Sequence, residues 1–303
     1  MHDDYNISLL DLISQNRPIL LDGALGTELN SMGVSTSLPL WSAGALGQAP
    51  DAVLKIHQAY VAAGAQIITA NTFRTSTYTY ALAGLTEPDA RKSAKRATAI
   101  AIRLALEASQ GRALVAGSIP PVGDCYTPAD YPGAAVARKT YGELIPWIAE
   151  AGAQLFLLET HINLEEALIA LDLATSTGLP VLVSFLVDSQ MKLYSGTPLS
   201  TAVQAVESAG ASGVLVNCIT LPLTADAVTS LNATTSLPYG VYANGSISQP
   251  AIDGTITELE TVENFLSAAA MWLQLGCTFI GGCCGTTPAI IAALAQQIKD
   301  FAD

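Results

Sequence analysis

The sequence is short of charge, shorter still of basic residues and histidine, and it contains no long apolar run. Only 13% of its 303 residues are charged, and acidic residues outnumber Lys and Arg by 26 to 13, giving a formal net charge of −13. A nucleic-acid or anionic-membrane partner would need a basic footprint that this chain does not offer. A cationic small molecule suits such a field, although an acidic surface also serves solubility. No apolar segment approaches the roughly 18 residues of a membrane span. The opening Met1-His2-Asp3-Asp4-Tyr5 has no basic stretch followed by an apolar one, so no secretory signal is expected. The expected compartment is the cytoplasm, where thiols stay reduced. Five cysteines, an odd number, fit metal ligation or free thiols better than a disulfide framework.

Two further shortages narrow the chemistry. Of the three histidines, His2 is terminal, His57 falls within a helical pattern, and only His161 lies near a strand end. Histidine is therefore a poor source of metal ligands here, and His161 is expected on a loop or behind the ligands. Lys55, Lys92, Lys95, Lys139 and Lys299 fall on helical patterns and Lys192 on a loop. A barrel aldolase, which needs a strand lysine for its Schiff base, has none to use.

What the chain does have is repetition. Short aliphatic or β-branched runs alternate with longer helical patterns from end to end, the mark of βα units around a parallel sheet. Eight such units are present, and no linker or charge block interrupts them. The expectation is an α/β fold, a (β/α)8 TIM barrel, as a single domain over residues 1–303. The strands are placed at Pro18 to Asp22, Gln66 to Asn71, Ala113 to Ser118, Gln154 to Glu159, Val181 to Val187, Gly213 to Asn217, Tyr239 to Ala243 and Thr278 to Gly282. Helices are expected from Pro50 to Ala63 and from Glu87 to Ala108. Thr287-Pro288 reads as an N-cap with proline at the first helical position, launching the last helix.

Strands two, four, six and eight share a register. Ala63-Gly64-Ala65, Ala151-Gly152-Ala153, Ala209-Gly210-Ala211 and Leu275-Gly276-Cys277 each precede a strand. At the same distance beyond lie Asn71-Thr72, Glu159-Thr160, Asn217-Cys218 and Cys283-Cys284. In a barrel of this kind the carboxyl-terminal face carries the active site, so these pairs are expected around one mouth.

Three thiols, Cys218, Cys283 and Cys284, with no fourth protein ligand in evidence, match a zinc site that keeps one position open for substrate. Adjacent residues on a strand face opposite ways, so Cys283 and Cys284 can converge only where the strand ends and the flanking glycines let the chain turn. Ordinary buried thiols are the plain alternative. Cys277, at the start of its strand, is expected in the core, and Cys125 on a loop, incidental to the site. A phosphate-binding barrel would give the cysteines no role, and an inactive zinc- or thiol-binding barrel would bind metal without turnover.

The chain resembles the zinc-dependent homocysteine S-methyltransferases over nearly its whole length. The resemblance rests on Leu21-Asp22-Gly23-Ala24 with Thr27-Glu28-Leu29, Leu40-Trp41-Ser42-Ala43, Asn71-Thr72-Phe73, Leu158-Glu159-Thr160, Ser195-Gly196-Thr197-Pro198, Val216-Asn217-Cys218 and Gly281-Gly282-Cys283-Cys284-Gly285. It implies that Cys218, Cys283 and Cys284 hold Zn2+, with the homocysteine sulfur in the open position, and that Asp22 and Glu159 hold the substrate ammonium group. Thr72, with main chain near Gly23 and Asn71, is implied for the substrate carboxylate, with Arg74 as a substitute or else directed to solvent. The implied reaction moves methyl from a cationic donor to homocysteine, giving methionine. S-methylmethionine or S-adenosylmethionine is favoured, because the chain lacks the C-terminal extension of betaine enzymes and room for folate or cobalamin domains. A betaine-type donor and a selenium analogue of homocysteine stay open. Phe73, Tyr126 and Tyr242 are candidates for a cation-binding wall or for packing. Ile119-Pro120-Pro121-Val122 and Tyr242-Ala243-Asn244-Gly245 depart from the pattern of the S-methylmethionine enzymes.

Overall fold

The computed structural model of the chain describes residues 7–249, 256 and 258–302; His2 lies outside them. Eight parallel strands succeed one another: β1 (Ile19–Leu20), β2 (Ile67–Ala70), β3 (Leu114–Ile119), β4 (Leu155–His161), β5 (Val181–Phe185), β6 (Gly213–Asn217), β7 (Tyr239–Ala243) and β8 (Phe279–Gly282). Neighbours in sequence pair from β2 through β8, and β8 pairs with β1. β1 meets β2 at a single parallel bridge between Leu21 and Ile67, so the sheet comes round to a nearly closed TIM barrel. At that seam Gln66 N–H donates to the Leu20 carbonyl at 2.7 Å and Asp22 N–H to the Ile67 carbonyl at 3.0 Å.

The placements from sequence hold to within a few residues. β1 is shorter than expected, although Leu21 N–H still donates to the Ile280 carbonyl at 2.8 Å and the Asp22 carbonyl still accepts from Gly282 N–H at 3.0 Å. β5 stops at Phe185, beyond which Val187 bridges back to Leu193. The helices Pro50–Ala63, Glu87–Ser109 and Pro288–Ala302 begin at their prolines or one residue before, and Ile290 N–H reaches Thr287 Oγ1 at 3.4 Å.

The repeated alanine-glycine signature has a physical origin. Gly64, Gly152, Gly210 and Gly276 all adopt left-handed φ, from 80° to 104°. In each case the following N–H returns to a carbonyl five residues back, as Ala65 does to Tyr60 at 3.1 Å and Cys277 to Trp272 at 3.0 Å. This is the Schellman ending of a helix, which needs a residue free of the Cβ penalty. Four identical stops set four strands off at the same phase.

Within the barrel, side chains two apart face inward. Ile19, Ile67, Leu114, Leu155, Leu157, Leu182, Leu215 and Phe279 fill the interior, and Leu9 and Leu12 of the short helix Leu9–Ser14 plug its amino-terminal end. Continuing the same period toward the carboxyl-terminal end brings Ser118, Glu159, Ser184 and Asn217 inward. The polar layer of the mouth is thus the next floor of the apolar core. Among the described residues no helix is long and apolar enough to cross a membrane.

Candidate metal centre and substrate cavity

β6 and β8 deliver the three cysteines. Past β8, Cys283 N–H still donates to the Ala243 carbonyl at 2.7 Å, and Thr286 N–H then returns to the Cys283 carbonyl at 3.0 Å. Gly285 makes that turn with φ of 81°, which lets two adjacent cysteines reach one point. Cys218 sits at φ 54°, a conformation costing a non-glycine residue about 1–2 kcal/mol. Asn244 Nδ2 donates to its carbonyl at 3.0 Å and holds it there.

The sulfur atoms of Cys218, Cys283 and Cys284 lie within 4.8 Å of one another, and among the described residues no fourth metal-ligating side chain joins them. Sulfurs at tetrahedral corners about 2.3 Å from zinc stand about 3.8 Å apart, so the cluster has the size of a three-thiolate centre. Its protons are unevenly shared. Hydrogen bonds to Cys283 and then Cys284, and burial after them, push the Cys218 thiol well above its ordinary value. Cys284 accepts from Cys218 and Cys283 and is held well below. One thiol held low beside two others, all able to give up a proton to a metal, suits a soft cation.

Two carboxylates face the cluster. Asp22, only 6% exposed, accepts from Thr69 N–H at 2.7 Å and Thr69 Oγ1 at 3.1 Å. Burial pushes its carboxyl up to about 8 despite those bonds, and the Glu159 charge adds to the rise. Glu159, at the inward polar level of β4, accepts from the hydroxyls of Ser118 and, at 3.3 Å, of Tyr242. Burial pushes it up to about 7, against the Ser118 bond and with the Cys283 charge adding. Among the described residues neither has an ion-pair partner on the protein. Such a pair is suited to a cationic group on a ligand.

A cavity of about 130 Å³ opens over these groups, with the three cysteines, Asp22, Gly23 and Glu159 in its wall. Gly23 is required for packing, since a Cβ there would stand 2.8 Å from both the Tyr60 hydroxyl and Thr286 Oγ1. Asn71 also lines the cavity, but its amide is turned to Ser42, donating to that carbonyl and accepting from that hydroxyl, each at 2.8 Å. Thr72 stands back: fully buried, its hydroxyl donates to the Ser118 carbonyl at 2.7 Å. Asn217 is likewise internal, accepting from Ser184 Oγ at 2.7 Å and Thr160 N–H at 3.0 Å. It fixes the Thr160 turn, whose φ of 61° repeats the left-handed bend of Cys218. Of the eight residues that the repeated register sends to the mouth, these two act behind it.

Phe73, Tyr126 and Tyr242 all reach the cavity wall. So do Arg74 and Cys125, which sequence left respectively between substrate and solvent and incidental on a loop. Burial pushes the Cys125 thiol up to about 12, so it stays protonated. His161 ends β4 rather than lying on a loop; it is buried, with Nε2 3.2 Å from the Ile119 carbonyl, and burial pushes it down to about 4. Cys277 is in the core as expected.

The family model described as homocysteine S-methyltransferase matches residues 19–298. The homocysteine S-methyltransferase of Escherichia coli K12 is 31% identical over 308 residues, covering 96% of this chain and 99% of that protein. Homocysteine S-methyltransferase 4 of Zea mays is 27% identical, covering 93% of this chain and 89% of that one. The metallated form of the Escherichia coli homocysteine methyltransferase MmuM superposes with a TM-score of 0.81 at 28% identity, over 94% of this chain and 98% of that one. With matches along almost its entire length, the chain belongs to the homocysteine S-methyltransferase family.

Proposed function

We propose that this protein transfers a methyl group from a cationic donor, a sulfonium compound in preference to betaine, to the sulfur of homocysteine, giving methionine. The observation that carries the reading is three convergent cysteine sulfurs facing a cavity that also holds two carboxylates without cationic partners. Cys218, Cys283 and Cys284 would hold zinc, which supplies a Lewis acid able to keep a substrate thiol as thiolate at neutral pH. Asp22 and Glu159 take the homocysteine ammonium, and Ser118 and Thr69 orient them through the hydrogen bonds described. Gly23 and Asn71 supply main chain beside the substrate, while Thr72 braces the Ser118 strand behind Glu159. In this reading residues 1–303 work as one barrel domain in the cytoplasm.

The test is a competition in which homocysteine meets S-methylmethionine, S-adenosylmethionine and betaine, each with a differently isotope-labelled methyl. Mass spectrometry of the methionine names the donor, and metal analysis of the same sample should find zinc equimolar with the chain. One sulfonium label should dominate. Zinc-replete protein that forms no methionine from any of the three would refute the proposal.

A further inference from the structure

Arg74 is the only basic residue among the described residues lining the cavity, and its donors are poorly matched. Nη1 donates to the Gly123 carbonyl at a long 3.3 Å. Nη2 stands 3.9 Å from Asp124 Oδ2, beyond hydrogen-bond range. Nε is buried with no partner at all. The guanidinium is nonetheless held in place, 5.5 Å from the Phe73 ring centroid, and that ring meets Trp41 edge-on at 5.6 Å. A guanidinium has five N–H donors, and leaving charged donors unmatched in a site only 12% exposed is unfavourable.

The two charges meet only as a long ion pair at 3.9 Å, with no hydrogen bond between them among the described residues. Asp124 Oδ1 is engaged by Tyr126 N–H at 2.8 Å. The loop is pinned at Gly123, where an added Cβ would fall 2.3 Å from the Asp130 carbonyl oxygen. A cation and an anion thus stand as a loose ion pair, without a hydrogen bond between them, in the wall of one cavity. An α-amino-acid head, with carboxylate and ammonium on a single carbon, has the complementary charges.

The position of the pair decides which amino acid it receives. Asp22 and Glu159, at the level of the cysteines, account for the ammonium of homocysteine. Arg74 lies four residues beyond the end of β2, and Asp124 five beyond the end of β3, so both belong to the outer tier of loops. Displacement at a methyl carbon requires the leaving group to lie opposite the attacking sulfur. The donor must therefore approach from the outer side, alongside Trp41, Phe73 and Tyr126.

We propose that Arg74 and Asp124 form the receptor for the α-amino-acid head of the methyl donor, Arg74 taking the carboxylate and Asp124 the ammonium. This rests on the methyl-transfer reading above and deepens it: the donor is a sulfonium amino acid. Its S–CH3 bond breaks with the electron pair remaining on the donor sulfur, which leaves as a neutral thioether. The homocysteine thiolate forms the new S–CH3 bond, and no oxidant or reductant is needed.

The test compares Arg74→Gln, Arg74→Lys and Asp124→Asn with the parent, using S-methylmethionine and dimethylsulfoniopropionate, a sulfonium carboxylate without an amino group. Arg74→Gln should raise KM for both donors roughly 10- to 100-fold, the effect of losing hydrogen bonds to a charged group, with KM for homocysteine within about twofold of the parent's; Arg74→Lys should recover part of the loss, because it keeps the charge but not the fork. Asp124→Asn should raise KM for S-methylmethionine while sparing dimethylsulfoniopropionate. Calorimetric binding of S-methylmethionine should weaken in parallel. A normal homocysteine KM also shows that each variant is folded. An effect on homocysteine in place of the donor, or a donor KM indifferent to Arg74→Gln, overturns the assignment and leaves the parent reaction standing. A parent protein that makes no methionine from any donor overturns both.

Discussion

Replacing Asp22 by asparagine should flatten the pH dependence of stability and weaken homocysteine binding. Burial pushes the Asp22 carboxyl up to about 8, from an ordinary value near 4. Between those values the native state keeps a proton that the unfolded chain has released, so stability falls as pH rises. The contribution is complete below about pH 4 and is lost as pH climbs through about 8. Inside the window one proton corresponds to about 1.4 kcal/mol per pH unit, so raising pH from 5 to 7 removes on the order of 3 kcal/mol through Asp22. Glu159, pushed up to about 7, adds a second slope of the same sign. Asparagine reproduces the protonated acid: Oδ1 can accept the Thr69 N–H and Nδ2 can donate to Thr69 Oγ1. The variant has no proton to lose at this position. Urea unfolding at a series of pH values, with a chelator throughout so that metal affinity does not enter, should show Asp22→Asn losing on the order of 3 kcal/mol less than the parent between pH 5 and 7. Parallel stability curves for the two proteins would show that Asp22 is ionised in the native state and that burial does not govern it.

Substitutions at five other residues probe the site from different sides. Alanine at Cys218, Cys283 or Cys284 should weaken zinc retention by at least about 100-fold, since even outer residues of metal sites account for 10- to 100-fold; a variant with full turnover after dialysis against chelator would remove the metal from the mechanism. Glu159→Gln should raise KM for homocysteine roughly 10- to 100-fold by removing a charged acceptor, and an unchanged KM would take Glu159 out of the amino-group site. Gly282→Ala would place a Cβ 2.4 Å from Thr286 Oγ1. That hydroxyl donates to the Cys283 carbonyl at 2.7 Å and accepts from Ala24 N–H at 3.1 Å, so the variant should lose about 1–3 kcal/mol together with metal affinity. Unaltered zinc binding by Gly282→Ala would mean that Thr286 does not shape the cysteine turn.

The barrel was legible because its signals are local and repeated. Glycines at Gly64, Gly152, Gly210 and Gly276 mark helix ends through a left-handed conformation that few other residues adopt readily, and the strand period then fixes the phase of the residues beyond each stop. Counting seven and eight residues forward from each glycine locates the pairs Glu159-Thr160, Asn217-Cys218 and Cys283-Cys284. The same count is blind to depth. Thr72 and Asn217 occupy the correct floor of the barrel, yet their hydrogen bonds to Ser118, Thr160 and Ser184 draw them behind the wall. A one-dimensional register gives the level of a side chain and leaves its hydrogen-bond partners, contributed by neighbouring strands, undetermined.

That Arg74 stays open between substrate and solvent, Cys125 reads as incidental and Asp124 goes unmarked in the sequence has a different reason. They lie on connections past β2 and β3, where no period constrains direction. Their positions depend on pairings tens of residues away: Glu166 Oε1 accepts from Val122 N–H at 2.8 Å and from the Tyr141 hydroxyl at 2.9 Å, and the same Tyr141 hydroxyl lies 2.9 Å from the Pro120 carbonyl. Those bonds tie the start of the β3 loop to the surrounding helices, and the loop in turn carries Asp124 and Tyr126 over the cavity. Differences in donor choice within one barrel therefore belong in these loops, which can change without disturbing the cysteine turn. The departure at Ile119-Pro120-Pro121-Val122 lies in this segment, next to the groups proposed to grip the donor, whereas the three cysteines come from the ends of β6 and β8, whose places the sheet ladder sets.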